Sequence, residues 1–112
     1  MFVGVLRLTF RIPGARSLKD RRRVVRSFRD RVQAKLRLSV AEVGGYEDYQ
    51  RAVMGVAAVA NDAAHVDELL AKAASMAEVV RDAALVDRAT EILPFGDEGR
   101  GIAASGLEDY GP

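Results

Sequence analysis

The chain contains no cysteine and no tryptophan, and only one histidine and three prolines among its 112 residues. Without cysteine there is no disulfide framework, no thiolate metal site and no sulfur nucleophile. One histidine rules out histidine-rich metal sites and leaves His65 as the sole imidazole base for a catalytic triad. No long hydrophobic run is present either. The longest, residues 53–60, is far short of the ~20 residues that cross a bilayer as a helix. No basic segment precedes residues 1–5, which alternate as a strand does, so a cytoplasmic location is expected. A chain of this length is most simply one domain, and area scaling has it bury roughly two-thirds of its unfolded surface.

Charge is present in abundance and is unevenly placed. Residues 1–37 hold 12 basic and two acidic groups, a balance of +10, whereas residues 38–112 hold 5 basic and 14 acidic groups, a balance of −9. The near-neutral total of +1 therefore conceals a basic first third. Such a segment either attracts phosphates or pairs internally with its acidic neighbours.

The hydrophobic pattern outlines six elements. Residues 2–12 alternate with period two: Phe2, Leu6, Leu8, Phe10 and Ile12 share one face, and Val3, Val5, Arg7, Thr9 and Arg11 the other. Pro13-Gly14 breaks this strand, and Ser17, with Asp20 three residues on, caps a helix running to about residue 36. Short strands follow at 38–43 and 51–60, separated by a loop that starts at Gly44-Gly45. Asn61-Asp62 caps a second helix through 78, and a strand at 84–93 ends at Pro94. The order βαββαβ predicts a ferredoxin-like α+β domain over residues 1–93: a four-stranded antiparallel sheet with two helices on one face. The glycine-rich, acidic stretch 94–112 has no periodicity and is expected to be a flexible tail.

Projection of the first helix at roughly 100° per residue separates two stripes. Val24, Val25, Phe28, Val32 and Leu36 form an apolar arc of about 120°. Lys19, Arg22, Arg23, Arg26, Arg29 and Arg37 fill the next arc, from roughly 20° to 140°, interrupted only by Asp30 and Gln33. Crowded like charges oppose helix stability, so an anionic partner is the more economical explanation than a merely solvated face. Arg21 projects at about 300°, inside the apolar arc; in the first turn it either escapes at the sheet edge or needs a carboxylate, for which Glu42 is the candidate, as a structural ion pair or as part of a site. The turn 13–17 offers helix N-terminal amides with Arg16 beside them, which suits either a plain cap or a weak anion site.

No constellation for catalysis emerges. His65 and Asp62 share one side of the second helix without a third ligand, no serine lies in a G-x-S-x-G context, and no phosphate-binding glycine loop occurs. The outward face of the first strand and the whole third strand lack aromatics, so base stacking on the sheet is not expected. Val3, Val5 and Arg7 on that face instead suggest an apolar patch that a second copy would cover.

Four segments, Ser17-Leu18-Lys19-Asp20-Arg21-Arg22-Arg23, Ser39-Val40-Ala41-Glu42-Val43, Tyr49-Gln50-Arg51-Ala52 and Gly55-Val56-Ala57-Ala58-Val59-Ala60-Asn61-Asp62, together resemble the YlxP-like family of small bacterial domains of unknown function. The resemblance covers about residues 1–93 and implies a ferredoxin-like fold and a translation or ribosome-maturation context. It implies no catalytic residues; members often carry another aromatic, such as tryptophan, where Tyr49 stands.

The expectation is a non-enzymatic binding module without cofactor, metal or small-molecule substrate. It would contact RNA phosphates, plausibly ribosomal, through Arg16, Lys19, Arg22, Arg23, Arg26, Arg29 and Arg37. The alternative is a homodimer built on the open sheet face, around Val3, Val5 and Arg7, with the basic helix docked on an acidic protein.

Overall fold

The structure is a computed structural model and describes residues 1–96. The elements are β1 (Phe2–Arg11), α1 (Leu18–Leu36), β2 (Ser39–Gly44), β3 (Arg51–Ala60), α2 (Ala63–Glu78) and β4 (Ala84–Pro94). The strands form one antiparallel sheet in the order β2-β3-β1-β4, which is the ferredoxin-like arrangement. Beyond the last strand, Phe95 N–H donates to Met1 O at 2.8 Å, and the Met1 ammonium donates back to Phe95 O at 3.0 Å. Most of the expected tail, residues 97–112, lies outside the described residues. None of the described helices is long and apolar enough to cross a membrane.

Alternation along β1 sends Gly4, Leu6, Leu8 and Phe10 inward. They meet Ala52, Met54, Val56 and Ala58 of β3 and the apolar stripes of both helices, so the core lies between the sheet and a single helical layer. Phe10 and Phe28 pack edge to face with ring centroids 5.2 Å apart, joining β1 to α1. α2 rests on β1, β3 and β4, and α1 on β2 and β3.

Two places depart from simple periodicity. Gly4 belongs to the buried face although it carries no side chain: a Cβ there would lie 2.4 Å from Val66 Cγ1 and 2.7 Å from Leu70 Cδ1. Its hydrogen is what lets α2 approach β1 so closely. In β2, the strand begins at Ser39 rather than 38, and its register against β3 slips between Glu42 and Gly44. The in–out alternation of β2 itself runs on unbroken, with Ser39, Ala41 and Val43 on the outer face.

Candidate nucleic-acid interface

α1 starts where Ser17, in extended conformation, accepts from Asp20 N–H at 3.2 Å. The Asp20 carboxylate reaches one residue further back than a capping box would, accepting from Arg16 N–H at 2.9 Å. The Asp20 carboxylate thus takes the Arg16 N–H and the Ser17 hydroxyl the Asp20 N–H, which is the geometry of a helix cap. The helix then buries Val24, Val25, Phe28 and Val32, with Leu36 half-buried, as the apolar arc predicts.

The adjoining flank faces water. Lys19, Arg22, Arg23 and Arg26 are exposed on α1, with Arg16 exposed just before its cap. Among the described residues none of these five, nor Arg37, has a carboxylate within 4.0 Å. Arg29 differs: it is half-buried, its guanidinium lies 3.1 Å from the Asp30 carboxylate, and that local pair partly neutralises it. Arg37 also differs from the helical projection. It is the C-cap, in left-handed conformation at φ 56°, so its direction is set by the cap and not by the helical angle. On this flank that leaves Arg16, Lys19, Arg22, Arg23, Arg26 and Arg37 without a carboxylate partner among the described residues, the first five in or just before the N-terminal half of a 19-residue helix about 28 Å long; Arg31 and Lys35, outside this flank, are likewise exposed and unpaired.

Arg21 points the other way. Only 3% exposed, it pairs with the Glu42 carboxylate on β2, donates from Nε to Arg51 O at 2.8 Å and from Nη2 to Gly44 O at 3.3 Å. The ion pair expected from the helical projection is present, and the same guanidinium also clamps both ends of the β2–β3 loop. Gln50 adds a second tie, its side-chain amide donating to Pro13 O at 3.4 Å and Ala15 O at 3.3 Å. The loop is thereby held beside the entry to α1. Tyr46, 59% exposed, donates its hydroxyl to Glu42 O at 2.9 Å, and its ring centroid lies 6.0 Å from Arg21 Cζ. Tyr49, one residue before Gln50, is 43% exposed. Reasoning from the chain alone left these two tyrosines without a role. The available signal was a pair of aromatics three residues apart in an otherwise polar loop.

The outer sheet face has a different character. Gly55, Ala57, Ala41 and Ala89 floor a shallow trough of about 530 Å³ lined also by Val5, Val43, Arg7 and Glu91. Val5 is exposed, Val3 half-buried, and Arg7 lies 3.5 Å from Asp87 in an exposed pair. No aromatic from any described strand stands on that face. His65 is exposed, and among the described residues no cluster of three acidic or histidine side chains is placed to hold a metal ion.

These features define a small ferredoxin-like α+β domain with one basic helical flank. The chain belongs to the family described as a protein of unknown function, DUF503, whose match spans residues 3–90. No curated protein matches it. Among solved structures it is similar to a C-terminal segment of the alpha subunit of aIF2 from Pyrococcus abyssi, at 14% identity and a TM-score of 0.45, covering 85% of this chain and 52% of that one. The chain thus spans about half the length of that neighbour.

Proposed function

We propose that this domain is a non-enzymatic RNA-binding module that takes RNA by its phosphates along the exposed flank of α1. The supporting observation is the set Arg16, Lys19, Arg22, Arg23, Arg26 and Arg37, exposed and without a carboxylate within 4.0 Å among the described residues. Unpaired like charges on one flank repel one another by a few tenths of a kcal/mol per neighbouring pair, a cost that polyanion binding reverses through counterion release. Arg29 joins the contact by exchanging Asp30 for a phosphate, an exchange that an exposed ion pair worth about 0–1 kcal/mol opposes only weakly. Resemblance to the YlxP-like family favours a ribosomal or precursor RNA, and hence a cytoplasmic setting.

Charge reversal tests this reading. Replacing Arg22, Arg26 and Arg29 together by glutamate removes the centre of the flank, and Arg22 and Arg26 are exposed and make no salt bridge among the described residues. The expected result is loss of RNA recovered with the tagged protein from cells, with the circular dichroism spectrum unchanged. Unchanged RNA recovery contradicts the proposal.

A second reading concerns assembly. Val5, Val43, Val59 and Leu93 are exposed apolar side chains on the strands, and the small-residue trough between them would let a second sheet approach closely. A homodimer through this face would leave both basic flanks outward, free for RNA or for an acidic protein. Sedimentation over a wide concentration range decides: a concentration-dependent dimer that Val59→Glu abolishes supports it, and a monomer throughout removes it.

A further inference from the structure

We propose that Tyr46 and Tyr49 stack unpaired bases of the same RNA whose phosphates the α1 flank binds, so that the ligand is single-stranded or looped RNA and not continuous duplex. This rests on the RNA-binding reading and adds to it the form of the RNA.

Tyr46 and Tyr49 are the exposed aromatics among the described residues; Phe10 and Phe28 are buried, and Phe2 and Phe95 are half-buried. Tyr46 is exposed yet constrained. Its hydroxyl is tied to Glu42 O at 2.9 Å, and the Arg21 guanidinium sits 6.0 Å from the ring centroid. The hydroxyl contact restrains where the ring lies while 59% of the residue remains open to solvent. A platform already ordered before binding loses little side-chain freedom when a base settles on it.

The loop is equally constrained in position. Arg21 holds Gly44 O and Arg51 O, and Gln50 holds Pro13 O and Ala15 O. Ala15 immediately precedes Arg16, the first cation of the flank. The loop that carries the tyrosines is therefore tied to the segment that enters α1, at the N-terminal end of the cationic row. The charge of the loop then separates the roles. Glu47 and Asp48 lie between the two tyrosines and repel phosphate, so the loop accepts an uncharged base face while the helix takes the backbone. In a continuous A-form duplex the bases are paired and stacked inside, and their faces are out of reach. Only RNA with an unpaired base can set that base on the loop while its backbone lies along the helix.

Fluorescence anisotropy with a fluorescein-labelled, uridine-rich single strand of about 12 nucleotides, and with a blunt RNA duplex of similar length, tests the inference. The intact protein should prefer the single strand. Tyr49→Ala, at a side chain with no recorded hydrogen bond, should weaken single-strand binding by about tenfold, the loss expected for one stacked base, and leave duplex binding and the salt slope unchanged. Tyr49→Phe, which keeps the ring, should bind as the unaltered protein does. Tyr46→Ala should act as Tyr49→Ala does, with a urea melt confirming the fold. Two outcomes overturn the inference while leaving the phosphate reading intact: single-strand binding that the glutamate triple variant abolishes but both alanine variants retain, or equal affinity for strand and duplex. Failure of both probes to bind at low salt overturns the phosphate reading and this inference with it.

Discussion

The Arg21 guanidinium, carried by the first turn of α1, is buried against the Glu42 carboxylate of β2, and the two side chains join the helical layer to the edge strand of the sheet. Neither partner is dispensable alone. Arg21 also serves the carbonyls of Gly44 and Arg51, which would otherwise lose a donor, and Glu42 retains 24% of its side-chain exposure. Breaking a buried pair typically costs about 3–5 kcal/mol, and the partial exposure of Glu42 brings its own truncation to the lower end. Arg21→Met should therefore lower unfolding free energy by about 3 kcal/mol in urea melts. Adding Glu42→Leu should recover part of that loss, because the stranded carboxylate is gone. Strict additivity of the two changes would show that the pair is not coupled.

Gly4 sets the distance between β1 and α2. A methyl group there would overlap Val66 Cγ1 and Leu70 Cδ1, both from buried side chains. Gly4→Ala should destabilise by about 1–3 kcal/mol, the usual penalty for overpacking. For a domain of this size, each kcal/mol lowers the thermal midpoint by about 4–8 °C. Val66→Ala in the Gly4→Ala background should cost less than Val66→Ala alone, since the added methyl fills part of the space vacated. An unchanged midpoint for Gly4→Ala would contradict the close approach.

Arg37 separates stability from binding. It occupies the left-handed C-cap at φ 56°, donating its N–H to Gln33 O at 3.1 Å, in a conformation that costs a non-glycine residue roughly 1–2 kcal/mol. Arg37→Gly should raise stability by about 1 kcal/mol while weakening RNA binding and shrinking the salt slope by about one phosphate contact. Measuring the thermal midpoint and the RNA affinity of this one variant checks both halves; a variant that is more stable with undiminished binding would remove Arg37 from the interface.

Much of this architecture is legible in the chain because it depends on local periodicity. Two-residue alternation places the inward face of β1, and the helical projection separates the α1 core stripe from the cationic flank and puts Arg21 inside the apolar arc, where Glu42 is its candidate partner. The features that escape such reading depend on what lies across the fold. Glycine has no side chain to register in a hydrophobic pattern, so the inward role of Gly4 emerges only when Val66 and Leu70 stand over it. The outward aliphatic face includes Val43, Val59 and Leu93 as well as Val5, and these side chains become neighbours only through the order in which the strands pair. The neutralisation of Arg29 by Asp30 and the left-handed turn at Arg37 are local, yet neither follows from a uniform helical projection. Tyr46 and Tyr49 gain significance from the long-range ties made by Arg21 and Gln50, which no spacing within the loop reveals.

The central claim is that the unpaired cations of the α1 flank displace counterions from RNA, and the salt dependence of affinity measures this most directly. Titrating the labelled single strand between about 50 and 200 mM monovalent salt should give a slope of log affinity against log salt near −4, the value for about six neutralised single-strand phosphates. The slope should fall markedly when Arg22, Arg26 and Arg29 are replaced by glutamate. A flat dependence, or an equally steep one in that variant, would contradict the claim.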